Sequence, residues 1–246
     1  MKKWKIFYAK ILEWDKKVLD LLYPLRCPFC DRVTVTNERI CTECRKKLSR
    51  IKEPVCKKCG KPLDNVQREY CMDCQKSSHV FAQGKALWKY EKQVRESIYR
   101  FKYQNRREYA AAYAEELTKA YADWIRRRGI ECIVPIPLHK KRRKIRGYNQ
   151  AELLAKELGR NLGIPVSTNL LVRVKDTQPQ KLLNVSERKN NMKKAFKTTE
   201  NIVQLKYILL VDDIYTTGST LDAAAFSLLE AGVKKVYACC ISIGKG

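Results

Sequence analysis

The sequence is short of acidic residues and histidine, and it contains no long apolar run. Its 246 residues include 26 Asp and Glu against 51 Lys and Arg, which gives a formal net charge of +25. Because no apolar run reaches about eighteen residues, a membrane-spanning helix is excluded on hydropathy. A fold needs no such excess of cations, so we expect a polyanionic partner: nucleic acid, a phosphorylated substrate, or both.

The N-terminal segment could be mistaken for a signal peptide, since Lys residues precede apolar ones. Charged residues such as Glu13 and Asp15 interrupt it, and no small-residue cleavage site follows. Its apolar positions instead predict an amphipathic helix within residues 1–26. We favour a helix docked on its own protein over transient association with an acidic membrane surface, and we expect no stable membrane insertion.

Cysteine is abundant and regularly spaced. Eight of the eleven Cys form four C-x-x-C pairs, each of which supplies half of a tetrahedral zinc site. The sequence therefore predicts two structural zinc ions. Their ligands are Cys27, Cys30, Cys41, Cys44, Cys56, Cys59, Cys71 and Cys74.

The first two cysteine pairs repeat in the second two, at offsets of 29 and 30 residues. This repeat favours sequential pairing with one zinc ribbon per repeat, although the nearly equal gaps leave cross-braced pairing open. Disulfides are the weaker alternative because no secretory signal is evident. The three remaining thiols lie in apolar strand-like runs and are predicted to be core residues: Cys132, Cys239 and Cys240.

The rest of the chain alternates strand and helix patterns, as expected of an α/β domain. A helical region over residues 91–128 is predicted to break near Tyr103. For Lys102 we favour a solvated side chain over the alternative that it reaches the site. A second helix is predicted to open at Arg146 to Gln150 and to end at Gly163 to Pro165. Strands are predicted at Phe81 to Tyr90, Ile133 to Leu138, Val166 to Val172, Ile208 to Val211, and Tyr237 to Ile243.

A carboxylate pair follows the most apolar of these strands. Asp212 and Asp213 come directly after Ile208 to Val211, and a helical pattern begins near Leu221. Between them lies a hydroxyl-rich loop, whose backbone N–H groups before a helix form an anion site. Ordinary turn and cap residues are the alternative. The loop contains Thr216, Thr217, Gly218, Ser219 and Thr220.

Two other segments are candidates for this site. Pro135, Ile136 and Pro137 form a rigid loop after a strand, and six cations follow within Lys140 to Arg146. Two interpretations of those cations are equally supported. They contact pyrophosphate or nucleic acid, or they form a solvated charged face. A polar segment from Arg173 to Phe196 is predicted to be a flap over the site. Its other marked residues are Thr177, Gln180, Leu183, Arg188 and Asn191.

The stretch from Ile208 to Thr220 resembles the phosphoribosyl pyrophosphate motif of type I phosphoribosyltransferases. Together with the cysteine pairs and the box Arg146-Gly147-Tyr148-Asn149-Gln150, it makes the chain similar to the ComF family from about residue 20 onward. The resemblance implies a mostly parallel sheet flanked by helices, of the type I phosphoribosyltransferase kind. The predicted domains are an N-terminal amphipathic helix (1–26), a double zinc ribbon (27–80) and the transferase-like domain (81–246).

The same resemblance implies roles for the site residues. Asp212 and Asp213 would be the catalytic acids that hold the ribose hydroxyls, while Thr216 to Thr220 would wrap the 5′-phosphate. The proline loop with Arg142 and Arg146 would meet the pyrophosphate, and Mg²⁺ would accompany it. Tyr215 departs from the family pattern, in which a small aliphatic residue is usual.

The family also implies a cytoplasmic role in competence, acting on incoming single-stranded DNA and possibly beside a DNA-translocating helicase. The first hypothesis is thus a phosphoribosyltransferase with an unknown acceptor. The alternatives are a non-catalytic module that binds nucleic acid or senses ribose phosphate, and a zinc-ribbon adaptor for a helicase partner. No general base is evident: of the two histidines, His79 is not expected to be catalytic, and His139 stays open.

Overall fold

A computed structural model describes residues 24–34, 38–174, 195–199 and 204–244. Two compact units are present, Met1–Lys47 and Leu48–Gly246. Most of the predicted N-terminal helix and most of the predicted flap, with Thr177, Gln180, Leu183, Arg188 and Asn191, lie outside the described residues. In the part of the chain that is described, no helix combines the length and apolarity needed to cross a membrane.

The smaller unit is organised around the first cysteine cluster. Arg26 and Val33 form an antiparallel bridge on either side of the first cysteine knuckle, and Phe29 and Ile40 are buried beside it. Helix α1 (Thr42–Lys47) carries the last ligand, Cys44, on its buried side. Among the described residues of this unit few apolar side chains are buried, so we expect a metal ion at the cysteines to contribute to its stability.

The larger unit is built on a four-stranded parallel sheet. Its strand order is β1–β6–β5–β2, and every neighbouring pair is parallel. Ile208, Leu209, Leu210 and Val211 are all 0% exposed, as expected of a strand covered on both faces. The strands are β1 (Gln83–Lys89), β2 (Cys132–Pro135), β5 (Tyr207–Tyr215) and β6 (Lys235–Ile243).

The helices predicted over residues 91–128, between the box and Gly163, and from near Leu221 are present and flank this sheet. The first helical region breaks where Asn105 adopts a left-handed conformation, and α4 packs against α6. Asn149 caps the start of α6 and left-handed Gly163 ends it. The helices are α2 (Met72–Lys76), α3 (Lys92–Tyr103), α4 (Tyr109–Arg127), α5 (Lys140–Arg146), α6 (Gln150–Leu162) and α7 (Ser219–Glu230).

The continuous strand predicted over Val166 to Val172 is wrong. Val166 forms only a single parallel bridge with Ile133. After a polar turn, β3 (Leu171–Arg173) pairs antiparallel with β4 (Phe196–Thr198) in a separate two-stranded sheet. The reason lies in residues 167–169, which are polar and more exposed than a buried central strand allows.

The second zinc ribbon shares its core with the sheet. Cys56 and Cys59 belong to the same buried cluster as Phe81 and the sheet residues. The Gly84 N–H donates to the Lys58 carbonyl at 2.7 Å, so the knuckle is tied to the start of β1. The division between the two units therefore falls inside the predicted ribbon module 27–80.

The three unpaired cysteines are core residues, as predicted. Cys132, Cys239 and Cys240 are buried in β2 and β6. Burial raises the pKa of Cys239 to about 12, so its thiol stays protonated and inert at neutral pH.

Candidate functional site

The acid pair lies near the carboxyl end of β5, which continues past it to Tyr215. Asp212 is opposite Cys240 of β6, and the Asp213 N–H donates to Asp212 Oδ1 at 2.8 Å. The strand is longer than the predicted run from Ile208 to Val211, because its pairing with β6 continues to Tyr215. Ligands of parallel α/β sheets bind at this edge.

Lys102 reaches the acid pair, so the prediction of a solvated lysine is wrong. Its Nζ lies 2.7 Å from Asp213 Oδ1, and its side chain is only 16% exposed. The lysine comes from the last turn of α3, which brings it to the end of β5.

Asp212 has an unusual environment for a carboxyl group. Burial, followed by the negative charge of Asp213, raises the pKa of Asp212 to about 7, against the opposing effects of Lys102 and Arg173. Asp212 therefore changes charge near neutral pH. Arg173, the first residue of the predicted flap segment, acts on this carboxyl from β3, where its guanidinium lies 5.5 Å from the ring centre of Phe196.

The predicted phosphate loop exposes its hydroxyl groups. Thr216, Thr217 and Ser219 are exposed, and the Thr217 and Ser219 hydroxyls lie 3.1 Å apart. Gly218 is left-handed, with φ of 78°, and α7 begins at the next residue. The loop therefore places hydroxyls and the first N–H groups of a twelve-residue helix together, which suits a phosphate.

The box from Arg146 to Gln150 holds other parts of the site in place. The buried Tyr148 hydroxyl donates to the Phe101 carbonyl, and Gln150 Nε2 donates to the Lys102 carbonyl at 3.5 Å. Both bonds fix the last turn of α3, which carries Lys102. The box thus positions the lysine that pairs with Asp213.

The same box holds the proline loop. Asn149 Nδ2 donates to the Ile136 carbonyl at 3.0 Å, and the Ile136 N–H donates to the Val211 carbonyl at 2.9 Å. Since Pro135 and Pro137 have no N–H, these three residues have no backbone donor left for a ligand. A pyrophosphate role for the loop stays a prediction.

The two predicted arginines lie beside this loop. Arg142 is exposed on α5, a helix that the sequence analysis did not predict. His139 caps that helix and left-handed Gly147 ends it. Arg146 is half-buried and donates to the Tyr103 hydroxyl at 2.9 Å and to Gln150 Oε1 at 3.1 Å. Contact of either arginine with pyrophosphate stays a prediction.

The cysteines group sequentially, in the pairing that the repeat favoured. Cys27, Cys30, Cys41 and Cys44 form one cluster, and Cys56, Cys59, Cys71 and Cys74 form the other, with all ligand atoms of a cluster within 4.8 Å. All eleven thiols are free, so no disulfide competes. A tetrahedral zinc ion with bonds of about 2.3 Å separates its sulfurs by about 3.8 Å. The observed 3.8 Å between Cys30 and Cys41, and 3.6 Å between Cys59 and Cys71, fit that ion.

Comparison with known families agrees with this arrangement. The double zinc ribbon domain family matches residues 18–75, and the phosphoribosyl transferase domain family matches residues 146–245. The larger family match therefore contains the box, the acid pair and the phosphate loop.

Curated relatives are competence and DNA utilization proteins. The chain is 31% identical over 201 residues to "Competence protein ComFC" of Bacillus subtilis, covering 80% of each chain. It is 39% identical over 144 residues to "Competence protein F" of Haemophilus influenzae, covering 56% of this chain and 63% of that one. It is 35% identical over 147 residues to "DNA utilization protein YhgH" of Salmonella typhimurium, covering 58% and 64%. The chain thus spans less than two thirds of the last two relatives.

Solved structures that resemble the protein include phosphoribosyltransferases. The purine phosphoribosyltransferase of Pyrococcus horikoshii is 18% identical, covers 53% of this chain and 72% of its own, and superposes with a TM-score of 0.34. The glutamine phosphoribosylpyrophosphate amidotransferase of Bacillus subtilis is also 18% identical, covering 53% and 26%, with a TM-score of 0.35.

Proposed function

Because this chain belongs to the ComF family, we propose that its larger unit binds phosphoribosyl pyrophosphate and serves DNA uptake as a phosphoribosyltransferase. The observation that supports this most directly is the acid pair beside a hydroxyl-rich loop at the end of β5. Ionised Asp212 and Asp213 accept hydrogen bonds from the ribose hydroxyls. The loop from Thr216 to Thr220 and the first turn of α7 hold the 5′-phosphate.

The leaving group of the proposed reaction is pyrophosphate, whose charge must be neutralised as it departs from C1 of the ribose. Lys102 already lies at the acid pair, and Arg142 and Arg146 are the proposed cations on the side of the proline loop. The carboxylate oxygens suit Mg²⁺, which when bound supplies further charge neutralisation. These groups act on the leaving group and do not specify an acceptor.

Neither histidine is placed as a general base for the acceptor. The Nδ1 of His139 accepts from the Lys141 N–H at 3.4 Å, which makes it a helix cap. His79 is buried. A module that senses ribose phosphate without turnover therefore remains the alternative for the same site.

Calorimetric titration of phosphoribosyl pyrophosphate into the zinc-loaded protein tests this proposal. We expect one site per chain with a Kd in the range of about 1–100 µM in the presence of Mg²⁺, and weaker binding without it. Ribose 5-phosphate is the control ligand, since it keeps the sugar and 5′-phosphate but has no pyrophosphate. Absence of binding with and without Mg²⁺ would refute the proposed site.

Nucleic acid binding is a second candidate function, supported by a surface on which exposed tyrosines lie beside cationic side chains. Tyr99 and Tyr103 are 55% and 54% exposed, with ring centroids 5.0 Å apart. The Arg146 guanidinium lies 4.8 Å from the Tyr103 ring centre, and Arg107 lies 4.7 Å from that of Tyr148. We call Tyr99, Tyr103, Arg107 and Arg146 the tyrosine–arginine surface.

Single-stranded nucleic acid fits this surface better than duplex. Exposed aromatic rings stack on unpaired bases, while nearby cations track the phosphates. The exposed cations of α5 (Lys140–Arg146) continue the positive charge from Arg146. We propose that incoming single-stranded DNA binds here. The protein would then work in the cytoplasm beside a helicase, and the zinc ribbons would contact that helicase.

Replacing both exposed tyrosines tests the surface. We expect Tyr99→Ala/Tyr103→Ala to weaken binding of an oligothymidylate by at least about tenfold in fluorescence anisotropy, because each stacked base loses about 1–3 kcal/mol. Tyr99→Phe keeps that ring and leaves the Tyr103 hydroxyl that accepts from Arg146, so it should bind like the wild type. Equal affinities for all three proteins would place the nucleic acid elsewhere.

A further inference from the structure

His79 is buried between the two ends of the phosphate loop. Its Nδ1 lies 2.6 Å from Oδ2 of Asp222, in the first turn of α7, and its Nε2 lies 3.0 Å from the hydroxyl of Tyr215, the last residue of β5. Asp222 Oδ1 also accepts from the Val80 N–H at 2.7 Å. These three side chains therefore bridge the strand before the loop and the helix after it.

The hydrogen bonds form a directional chain. With the carboxylate ionised and the imidazole neutral, the Nδ1–H of His79 donates to Asp222 and Nε2 accepts from the Tyr215 O–H. Each ring nitrogen then has a matched partner. Such a network fixes the orientation of every side chain in it, in the way that outer-shell partners orient metal ligands.

The backbone of the phosphate loop lies directly against this network. A Cβ atom at Gly218 would lie 2.6 Å from the Tyr215 hydroxyl oxygen and 2.8 Å from His79 Cε1. Only a hydrogen atom fits there, and φ of 78° independently favours glycine. The loop therefore cannot shift inward unless His79 or Tyr215 moves.

The network also contacts the core of the second ribbon. The His79 ring stacks on Phe81, with centroids 4.9 Å apart, and Phe81 meets the Tyr215 ring edge-on at 6.3 Å. Phe81 is fully buried in the cluster that contains Cys56 and Cys59. Packing thus runs without interruption from two zinc ligands to the loop.

We propose that His79 is a positioning residue that holds the phosphate loop in its ligand-binding shape, and that the second zinc ribbon supports the loop through Phe81 and His79. This gives the ribbon a place in the architecture of the sugar phosphate site. The identity of the ligand rests on the proposed function. The support of the loop by His79 does not depend on it. His79 is only 8% exposed, so it acts through Tyr215 and Asp222 and not on the ligand.

Hydrogen–deuterium exchange and ligand titration together test the inference on the full-length, zinc-loaded protein. The variants are His79→Ala and Tyr215→Phe, and the control is Tyr121→Phe, which removes the bond from another tyrosine hydroxyl to the Ala86 carbonyl. We expect faster exchange over residues 216–222 in both test variants and unchanged exchange over α3. Affinity for phosphoribosyl pyrophosphate should fall by about tenfold in Tyr215→Phe, as expected for one lost buried hydrogen bond, and further in His79→Ala.

The two readouts separate this inference from the proposed function. If the wild type binds no phosphoribosyl pyrophosphate, the proposed function fails, while exchange still reports on support of the loop. Unchanged exchange over 216–222 in folded Tyr215→Phe, with two zinc ions retained, would overturn the inference. The same holds if Tyr121→Phe loosens the loop equally, because the effect would then be general destabilisation.

Discussion

The double variant Asp212→Asn/Asp213→Asn is expected to lose binding of phosphoribosyl pyrophosphate while keeping its fold. Asn keeps the size of Asp but removes both negative charges, so the ribose hydroxyls lose their charged acceptors. Stability should be retained because the like-charge repulsion that helps raise the pKa of Asp212 disappears together with the ion pair to Lys102. Calorimetric titration measures the affinity, and thermal unfolding checks the fold.

Asp123→Asn is the matched control, since it removes a carboxylate from α4 whose side chain is 84% exposed. It should bind like the wild type. Unchanged affinity in the double variant would show that the acid pair is not the ribose site. A double variant that unfolds would instead show that the acids are structural, and the single Asp213→Asn variant would then decide the question.

The acid pair also gives binding a pH dependence with a defined sign. The pKa of Asp212 is raised to about 7, so its charge is lost as pH falls below that value and ribose binding should weaken. For folding, the sign is opposite. A raised pKa means that the native state binds the proton of Asp212 more tightly than the unfolded state does. Protonation of Asp212 therefore stabilises the fold. This stabilisation is fully present below the ordinary pKa of 3.8 and is lost as pH rises through about 7. Asp212→Asn should remove both trends.

The sequence was sufficient where one local pattern determines the structure. The run from Ile208 to Val211 predicted a strand covered on both faces, and the cysteine repeat predicted the sequential clusters. Gly163 predicted the end of a helix. In each case neighbouring residues set the outcome, either through burial of an apolar run or through the conformational preference of glycine.

The sequence was insufficient where the site depends on long-range packing. Lys102 and Asp213 are 111 residues apart in the numbering, and nothing near Lys102 indicates that α3 ends at the acid pair. His79 and Asp222 are separated by 143 residues, and a lone histidine after a zinc ribbon has no local pattern that reveals its partners. Tyr215, which departs from the family pattern, has its explanation here, because its hydroxyl completes the network with His79.

Loss of the second zinc ion should have a larger effect on the transferase domain than loss of the first. In Cys74→Ser the second cluster keeps three thiols, and we expect one zinc ion per chain in place of two. Since structural zinc contributes about 10 kcal/mol or more to folding, the thermal midpoint of the larger unit should fall by about 10 °C or more. The reason is that Cys56 and Cys59 belong to the core that contains Phe81, Tyr215 and the sheet.

Cys30→Ser is the matched control, because Cys30 and Cys74 are both half-buried ligands of four-cysteine clusters. It should also reduce the zinc content to one, yet unfolding should be confined to the smaller unit, Met1–Lys47. Metal analysis, calorimetric unfolding and exchange over residues 216–222 distinguish the two variants. If both variants destabilise the larger unit equally, the two ribbons act as one module. If Cys74→Ser leaves the larger unit unaffected, the sheet does not depend on the second ribbon.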